Sequence, residues 1–122
     1  MNKLEKCVSD FMEIHKLERT PLGSHPSVET RLGRTRYLLE ELHELVTAMQ
    51  KEDPIEEVAD ALGDLLYVII GTFITYSIPI DPIFKEIHRS NMTKGKLDKS
   101  GKGGKTKSFE PPRLKEVLKC LK

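Results

Sequence analysis

The sequence predicts an all-α fold, an antiparallel bundle of four to five helices that is completed by oligomerisation. Apolar residues recur at three- and four-residue spacings through several segments, which is the pattern of amphipathic helices. Segments containing proline and glycine separate them, and the sequence shows neither β-alternation nor an internal repeat. A chain of 122 residues is long enough for one domain with a modest core.

Two helices are predicted on either side of a proline-containing loop. The first spans residues 2–18, with apolar side chains along one side: Leu4, Val8, Phe11, Met12 and Ile14. Residues 20–27 contain Pro21, Gly23 and Pro26, which break helices and predict a connecting loop. The second helix spans residues 28–49, and its apolar stripe consists of Tyr37, Leu38, Leu42, Leu45, Val46 and Met49.

The third helix is predicted over residues 54–76, with Asp53 as its cap and Pro54 in its first turn. The short turn before it makes helices two and three antiparallel. After Asp64 the helix is apolar around most of its circumference, as expected of a central helix or an oligomer interface. Its apolar run is too short, and too acidic at its head, for a membrane span.

A fourth helix is predicted over residues 81–91, with Asp81 as its N-cap. Residues 93–108 are mostly glycine, lysine and serine, which predicts a mobile loop or a lid that orders on binding. A last short helix can form within residues 111–122. We therefore expect residues 1–93 to form the main helical domain, and residues 94–122 to form a flexible loop and C-terminal segment of the same domain.

Charge and cysteine content restrict the class of protein. Twenty basic and nineteen acidic side chains nearly cancel, so the net charge requires neither nucleic acid nor a membrane as partner. Acidic residues gather between positions 40 and 64, whereas lysines crowd positions 94–107. Cys7 and Cys120 have no CxxC spacing, and the N-terminus lacks the apolar region of a secretory signal. These features predict a reduced, cytoplasmic setting.

Two acidic stripes are the main candidate for a functional site. One lies on the second helix and one on the third, each within about 100° of arc: Glu40, Glu41 and Glu44, then Glu57, Asp60 and Asp64. Antiparallel packing can bring the stripes together, where the carboxylates would repel one another unless a cation such as Mg²⁺ or Mn²⁺ neutralised them. The alternative is two solvated helix faces, paired with nearby Arg31, Arg34, Arg36 and Lys51.

The spacing of these acids resembles a known family. Residues 40–44 read EExxE and residues 57–60 read ExxD, the paired motif of the all-α nucleoside triphosphate pyrophosphohydrolases. That superfamily includes MazG, dimeric dUTPases and phosphoribosyl-ATP pyrophosphatase. Residues 60–68, 88–94 and 107–112 resemble the MazG-like, phosphoribosyl-ATP pyrophosphohydrolase-like branch in particular. The resemblance covers residues 11–118 and implies that the helical domain of residues 1–93 is catalytic.

The resemblance implies a hydrolase that cleaves the α–β anhydride of a nucleoside triphosphate to the monophosphate and pyrophosphate. It makes four residues the Mg²⁺ ligands, with Mn²⁺ as a possible substitute: Glu41, Glu44, Glu57 and Asp60. In such a site Glu40 can orient or deprotonate the attacking water. Asp64 can orient the ligands from outside or bind a further ion. Alternatively, Asp64 is a buried partner for Arg36 or Lys94.

Four further residues are candidates for binding the substrate. Arg89 and Lys94 can supply the phosphate contacts that carboxylates cannot. Asn91 carries both a donor and an acceptor for a sugar or base, and Tyr67 can stack or hydrogen-bond near the nucleoside. Asn91 can instead cap a helix, and Tyr67 can instead be a core aromatic residue.

The excess of apolar surface on the third helix predicts a homodimer or homotetramer. We expect a house-cleaning or phage nucleotide-pool enzyme whose substrate is a (deoxy)nucleoside triphosphate. Among these nucleotides we favour dGTP, although no motif identifies the base. Phosphoribosyl-ATP is an alternative substrate. The alternative from another class is a nucleic-acid-binding helical module that uses the Lys-rich tail, and the intact pair of acidic motifs argues against it.

Overall fold

A computed structural model of the protein describes residues 1–121, and these residues form helices, turns and loops without a β-strand. The helices are α1 (Lys3–Ile14), α2 (Val28–Gln50), α3 (Ile55–Thr75), α4 (Ile80–Asn91) and α5 (Leu114–Cys120). The predicted all-α class is therefore confirmed. Two compact units divide the chain: Met1–Ile78, which holds α1 to α3, and Pro79–Lys122, which holds α4 and α5. Lys122, the end of the predicted C-terminal segment, lies outside the described residues.

Helix α1 begins with a capping box and ends sooner than the apolar pattern predicts. The Asn2 side chain accepts a hydrogen bond from the Glu5 backbone N–H, and the Glu5 carboxylate in turn accepts one from the Asn2 N–H. The prediction extended the helix to residue 18, but the helix ends at Ile14 and Lys16 adopts φ +54°. That left-handed conformation cannot continue a right-handed helix. Val8 and Met12 are buried where α1 packs on α3.

Helix α2 starts at a serine cap. The Ser27 hydroxyl accepts a hydrogen bond of 3.2 Å from the Thr30 N–H. The Glu18 carboxylate in turn accepts hydrogen bonds from Ser27, 3.1 Å from its backbone N–H and 3.0 Å from its hydroxyl. The loop before α2 is therefore tied to the first residues of the helix.

Helix α3 follows α2 after a turn of four residues and packs against it. The prediction that Asp53 caps α3 is wrong, as is the placement of Pro54 inside the first turn. Pro54 is the N-cap, and its carbonyl accepts hydrogen bonds from the Glu57 and Val58 N–H groups. The Asp53 N–H donates instead to the Ala48 carbonyl, 3.0 Å away, so this residue closes the end of α2.

Buried apolar side chains of α2 and α3 form the core between these helices, with α1 covering part of α3: Leu45, Ala48, Ala61, Val68, Ile70 and Ile74. Arg34 of α2 also binds α3 directly. Its Nη2 donates to the Val68 carbonyl at 2.7 Å, and its Nε donates to the Thr72 hydroxyl at 3.1 Å. The packing of α2 on α3 is therefore partly polar.

The surface of this first unit keeps large apolar side chains in solvent, among them Leu39, Leu42, Leu62 and Leu66. By length and composition alone, α3 is also apolar enough to cross a membrane, with one third of its most apolar window buried. The core helix of a soluble protein passes the same test. The predictions of oligomerisation and of no membrane partner both stay predictions.

In the second unit, α4 begins earlier than predicted. The prediction that Asp81 caps it is wrong, because Pro79 occupies the N-cap and Asp81 lies in the first turn. A proline is tolerated as far as the third helical position, since the N–H groups there have no helical acceptor, so Pro82 does not delay the start. Residues 94–108 double back on themselves, with the Gly95 N–H bonded to the Gly104 carbonyl at 2.7 Å.

Candidate active site

Three carboxylates of α2 and α3 converge on one point. One oxygen from each of Glu41, Glu44 and Asp64 lies within 4.8 Å of the others. Glu41 and Glu44 are three residues apart and therefore share a helix face, and α3 presents Asp64 beside them. Among the described ion pairs, none joins an acidic residue of this site to a basic side chain. The alternative of surface pairs with nearby arginines and Lys51 therefore finds no support in residues 1–121.

Glu41 is the most perturbed member of the cluster. Its Oε2 atom is buried and has no hydrogen-bond partner within the described residues. Burial raises the pKa of the Glu41 carboxyl, and the negative charges of Glu44 and Asp64, followed by Glu40 and Asp60, raise it further. A shielded carboxylate oxygen surrounded by other carboxylates is costly for a protein to keep unless a cation binds it. An all-oxygen donor set of this kind fits a hard divalent cation.

The structure places the remaining predicted acids around this cluster. Glu40 and Asp60 are exposed and close enough to Glu41 to affect its pKa. Glu57 is exposed in the first turn of α3 and lies outside the group of three converging carboxylates.

The register of the α2–α3 pair explains this arrangement. Counted outwards from the turn at residues 51–54, Glu41 falls opposite Asp64, whereas Glu57 falls opposite Ala48. With the predicted bounds, 28–49 and 54–76, the same count places Glu41 opposite Leu62, so the pairing with Asp64 depends on helix ends that the structure supplied.

A family model for phosphoribosyl-ATP pyrophosphohydrolase matches residues 8–91. The chain belongs to this family. The match runs from Val8, within α1, to the end of α4 and includes all the acidic residues above, so the protein is a hydrolase that acts on nucleotide pyrophosphate bonds. Enzymes of the family typically depend on a metal, which agrees with the acidic cluster. No curated protein matches the chain.

Next to the cluster, this pyrophosphohydrolase carries aromatic side chains. Tyr67 lies three residues beyond Asp64 on α3, and burial raises the pKa of its hydroxyl. Its ring meets the Phe11 ring edge-on, with 5.6 Å between the centroids, and 37% of the residue stays accessible. Phe11 and Tyr67 line a small apolar cleft. Tyr37, four residues before Glu41, lines it as well. Tyr67 is thus partly packed against Phe11 and partly accessible.

The other predicted substrate-binding residues belong to the second unit. Arg89 donates two hydrogen bonds to the Glu86 carboxylate, at 2.9 and 2.8 Å. The Arg89 bonds, together with one from the Arg113 N–H, lower the pKa of Glu86 to about 2. The Lys94 ammonium lies 6.0 Å from the centre of the Phe109 ring, and Asn91 is exposed at the end of α4. The Arg89 guanidinium is therefore occupied, whereas the Asn91 side chain is open to solvent.

Proposed function

We propose that the protein is an Mg²⁺-dependent nucleotide pyrophosphohydrolase that cleaves the α–β anhydride of a deoxynucleoside triphosphate to the monophosphate and pyrophosphate. The observation that supports this most directly is the buried, unpartnered Oε2 of Glu41 beside Glu44 and Asp64. Oxygen donors alone suit Mg²⁺, and Mn²⁺ can replace it. Membership of a pyrophosphohydrolase family supplies the class of bond.

In this proposal Glu41, Glu44 and Asp64 hold Mg²⁺, and Asp60 and Glu57 complete the acidic stripe on α3. When bound, Mg²⁺ supplies positive charge to the phosphate oxygens and to the leaving pyrophosphate. Glu40 is exposed beside these residues and orients the attacking water, from which it accepts a proton.

On the substrate side, the proposal keeps the roles that the family resemblance implies: Tyr67 near the nucleoside, Lys94 for a phosphate, and Asn91 for a sugar or base. Arg89 would have to exchange its two hydrogen bonds with Glu86 for a phosphate contact. Lys94 takes part in none of the described ion pairs, which supports it over Arg89 as the proposed phosphate-binding cation.

Phosphoribosyl-ATP is the second candidate substrate, because the matching family is described by that activity. Its hydrolysis uses the same chemistry on a larger nucleotide. Turnover of phosphoribosyl-ATP with a kcat/KM above that of every deoxynucleoside triphosphate would select it.

The test is pyrophosphate release from the four deoxynucleoside triphosphates and phosphoribosyl-ATP, with and without Mg²⁺. Glu41→Gln removes a charge from the cluster at constant size, and we expect it to lower kcat/KM by at least about 100-fold, the scale of losing one charge-stabilising group in a site. Glu56→Gln is the matched control. Glu56 is an exposed carboxylate in the first turn of α3, beside Glu57, and it lies outside the cluster of three carboxylates.

Wild-type turnover by Glu41→Gln would refute the assigned site. Release of free phosphate without pyrophosphate would show that the enzyme does not cleave the α–β anhydride. Salt-sensitive binding to nucleic acid, with no hydrolysis in Mg²⁺, would favour the helical binding module instead.

The proposal includes a homodimer or homotetramer in the cytoplasm. Exposed leucines of α2 and α3 support an assembly, since Leu39 is 61% and Leu62 is 52% accessible in the single chain. Light scattering after size exclusion distinguishes a monomer of 13.9 kDa from a dimer or tetramer.

A further inference from the structure

A cavity of about 300 Å³ lies on the face of α2 that carries Glu41. Its walls include Thr30, Arg34 and Tyr37 of α2, and Glu18 of the preceding loop. Arg34 and Glu41 are seven residues apart, so they share one helix face and lie about 10 Å apart along its axis. Tyr37 lies between them. A nucleotide whose phosphates are held at the carboxylates can therefore extend its sugar and base past Tyr37 into this cavity.

Arg34 faces the cavity as a fixed guanidinium without a carboxylate partner. Its Nε and Nη2 donate to neutral oxygens of Thr72 and Val68, and it takes part in none of the described ion pairs. Nη1 makes no hydrogen bond within residues 1–121. Gly71 allows this arrangement, because a Cβ there would lie 2.6 Å from Nη2. The guanidinium is thus fixed in position and keeps the N–H groups of Nη1 and the second N–H of Nη2 for a ligand.

Glu18 supplies the opposite charge to the same cavity. Its carboxylate is held by the Ser27 N–H and hydroxyl, at 3.1 and 3.0 Å. Hydrogen bonds from Thr30 and Ser27 lower the pKa of Glu18, so the group is ionised at neutral pH. Although Glu18 and Arg34 line one cavity, they form no ion pair with each other. The cavity therefore has a donor side and an acceptor side.

These two sides fit a neutral, flat ligand better than an anion. The Glu18 charge disfavours a phosphate, whereas a ring that offers acceptors to Arg34 and N–H groups to Glu18 satisfies both. Guanine has O6 and N7 acceptors for the fork formed by Nη1 and the second N–H of Nη2, which the bonds to Thr72 and Val68 leave free, and it has N–H groups on the adjacent edge. Adenine would place an amino group where the guanidinium needs an acceptor. Tyr37 adds an aromatic wall, with its ring centre 5.8 Å from Arg34 Cζ.

We propose that this cavity receives the base of the substrate, and that Arg34 and Glu18 make the enzyme selective for guanine nucleotides. The proposal rests on the proposed function, because the position of the phosphates at Glu41 sets the direction in which the base extends. It assigns specificity to the polar residues that flank the cavity.

The first test compares kcat/KM for dGTP, dITP, dATP and 7-deaza-dGTP in Mg²⁺, which requires no mutation. We expect dGTP to exceed dATP by on the order of tenfold or more, the effect of one correct arginine–guanine pair. dITP keeps O6, N7 and the N1–H and should remain close to dGTP, whereas 7-deaza-dGTP lacks N7 and should fall below it. Equal values for dGTP and dATP would overturn the proposal.

The second test measures binding without catalysis. In EDTA, deoxyguanosine should shift the NMR signal of the Arg34 Nε–H, and deoxyadenosine should shift it less. A shift caused by inorganic phosphate, with none from deoxyguanosine, would identify an anion site and overturn the proposal. Because this experiment uses neither metal nor phosphoanhydride, it separates failure of the base site from failure of the hydrolase function.

The third test uses variants on the accessible side of the cavity. Glu18→Gln keeps the size of the side chain, and we expect it to reduce the dGTP-to-dATP ratio of kcat/KM by roughly tenfold. Glu13→Gln, an exposed carboxylate of α1, is the matched control and should keep the ratio. An unchanged ratio in Glu18→Gln would overturn the role of that residue. Arg34→Lys, which keeps the charge but loses the fork, should equalise dGTP and dITP with dATP.

Discussion

Gly71→Ala tests how tightly the Arg34 guanidinium is fixed against α3. The added Cβ would lie 2.6 Å from Nη2 and 3.4 Å from Cζ of Arg34. Side chains do not tolerate the shorter of these separations, so the guanidinium must move. Its hydrogen bond of 2.7 Å to the Val68 carbonyl is the first interaction to break.

The expected magnitude follows from two opposing effects. A hydrogen bond from a charged donor stabilises a protein by about 1.5–3 kcal/mol, and the half-buried position of Arg34 favours the lower end. Alanine is a better helix former than glycine by about 1 kcal/mol. A Cβ added at Gly63 of the same helix would meet no neighbouring atom within 4 Å, so Gly63→Ala isolates the helix-propensity effect. Gly71→Ala should therefore be less stable than Gly63→Ala by about 2 kcal/mol.

Urea denaturation followed by circular dichroism measures this difference, because both variants leave the surface exposed on unfolding unchanged. In an Arg34→Met background the steric conflict is absent, and Gly71→Ala should then stabilise the protein as Gly63→Ala does. If Gly71→Ala stabilised the wild-type protein as much as Gly63→Ala, the guanidinium would be free to move and the reasoning would be refuted.

Three further predictions concern the acidic cluster, the second unit and the cap of α2. Glu41→Gln should raise the thermal stability of the metal-free protein, since Oε2 lacks a partner within residues 1–121, and should reduce the further rise that Mg²⁺ gives. The pKa of Glu86 falls from its usual 4.5 to about 2, so its contribution to stability should persist at neutral pH and disappear as the pH falls from about 4.5 towards 2. NMR of α4 in acid should therefore show this loss in the wild type and not in Glu86→Gln. Ser27→Ala should cost about 1 kcal/mol by removing the cap of α2, measured by urea denaturation.

Each of these predictions has a result that would contradict it. A metal-free Glu41→Gln that melts below the wild type would mean that the Glu41 charge is compensated. An acid transition shared by the wild type and Glu86→Gln would assign the pH dependence to another carboxyl. Ser24→Ala removes a hydroxyl from the same loop that makes no hydrogen bond within the described residues, so an equal loss there would rule out capping as the cause.

Local sequence signals were sufficient for the helices themselves. The prolines and glycine of residues 20–27 and the apolar spacing on either side located α1 and α2, because these signals act within a few residues along the chain. Helix ends were less predictable. Asp53 and Asp81 have suitable cap chemistry, yet Pro54 and Pro79 occupy the caps. A cap depends on where the backbone leaves the helix, and two neighbouring residues can compete for that position.

For the site, the sequence determined the number of carboxylates and their helix faces, and the family resemblance determined the class of bond. The tertiary structure decided which acids meet, because the register across the turn brings Asp64, and not Glu57, to Glu41 and Glu44. It also decided the role of Arg34, which the sequence suggested only as a surface partner for acids. Its hydrogen bonds to Val68 and Thr72 join residues more than 30 positions apart, and such contacts exist only once α2 and α3 have packed.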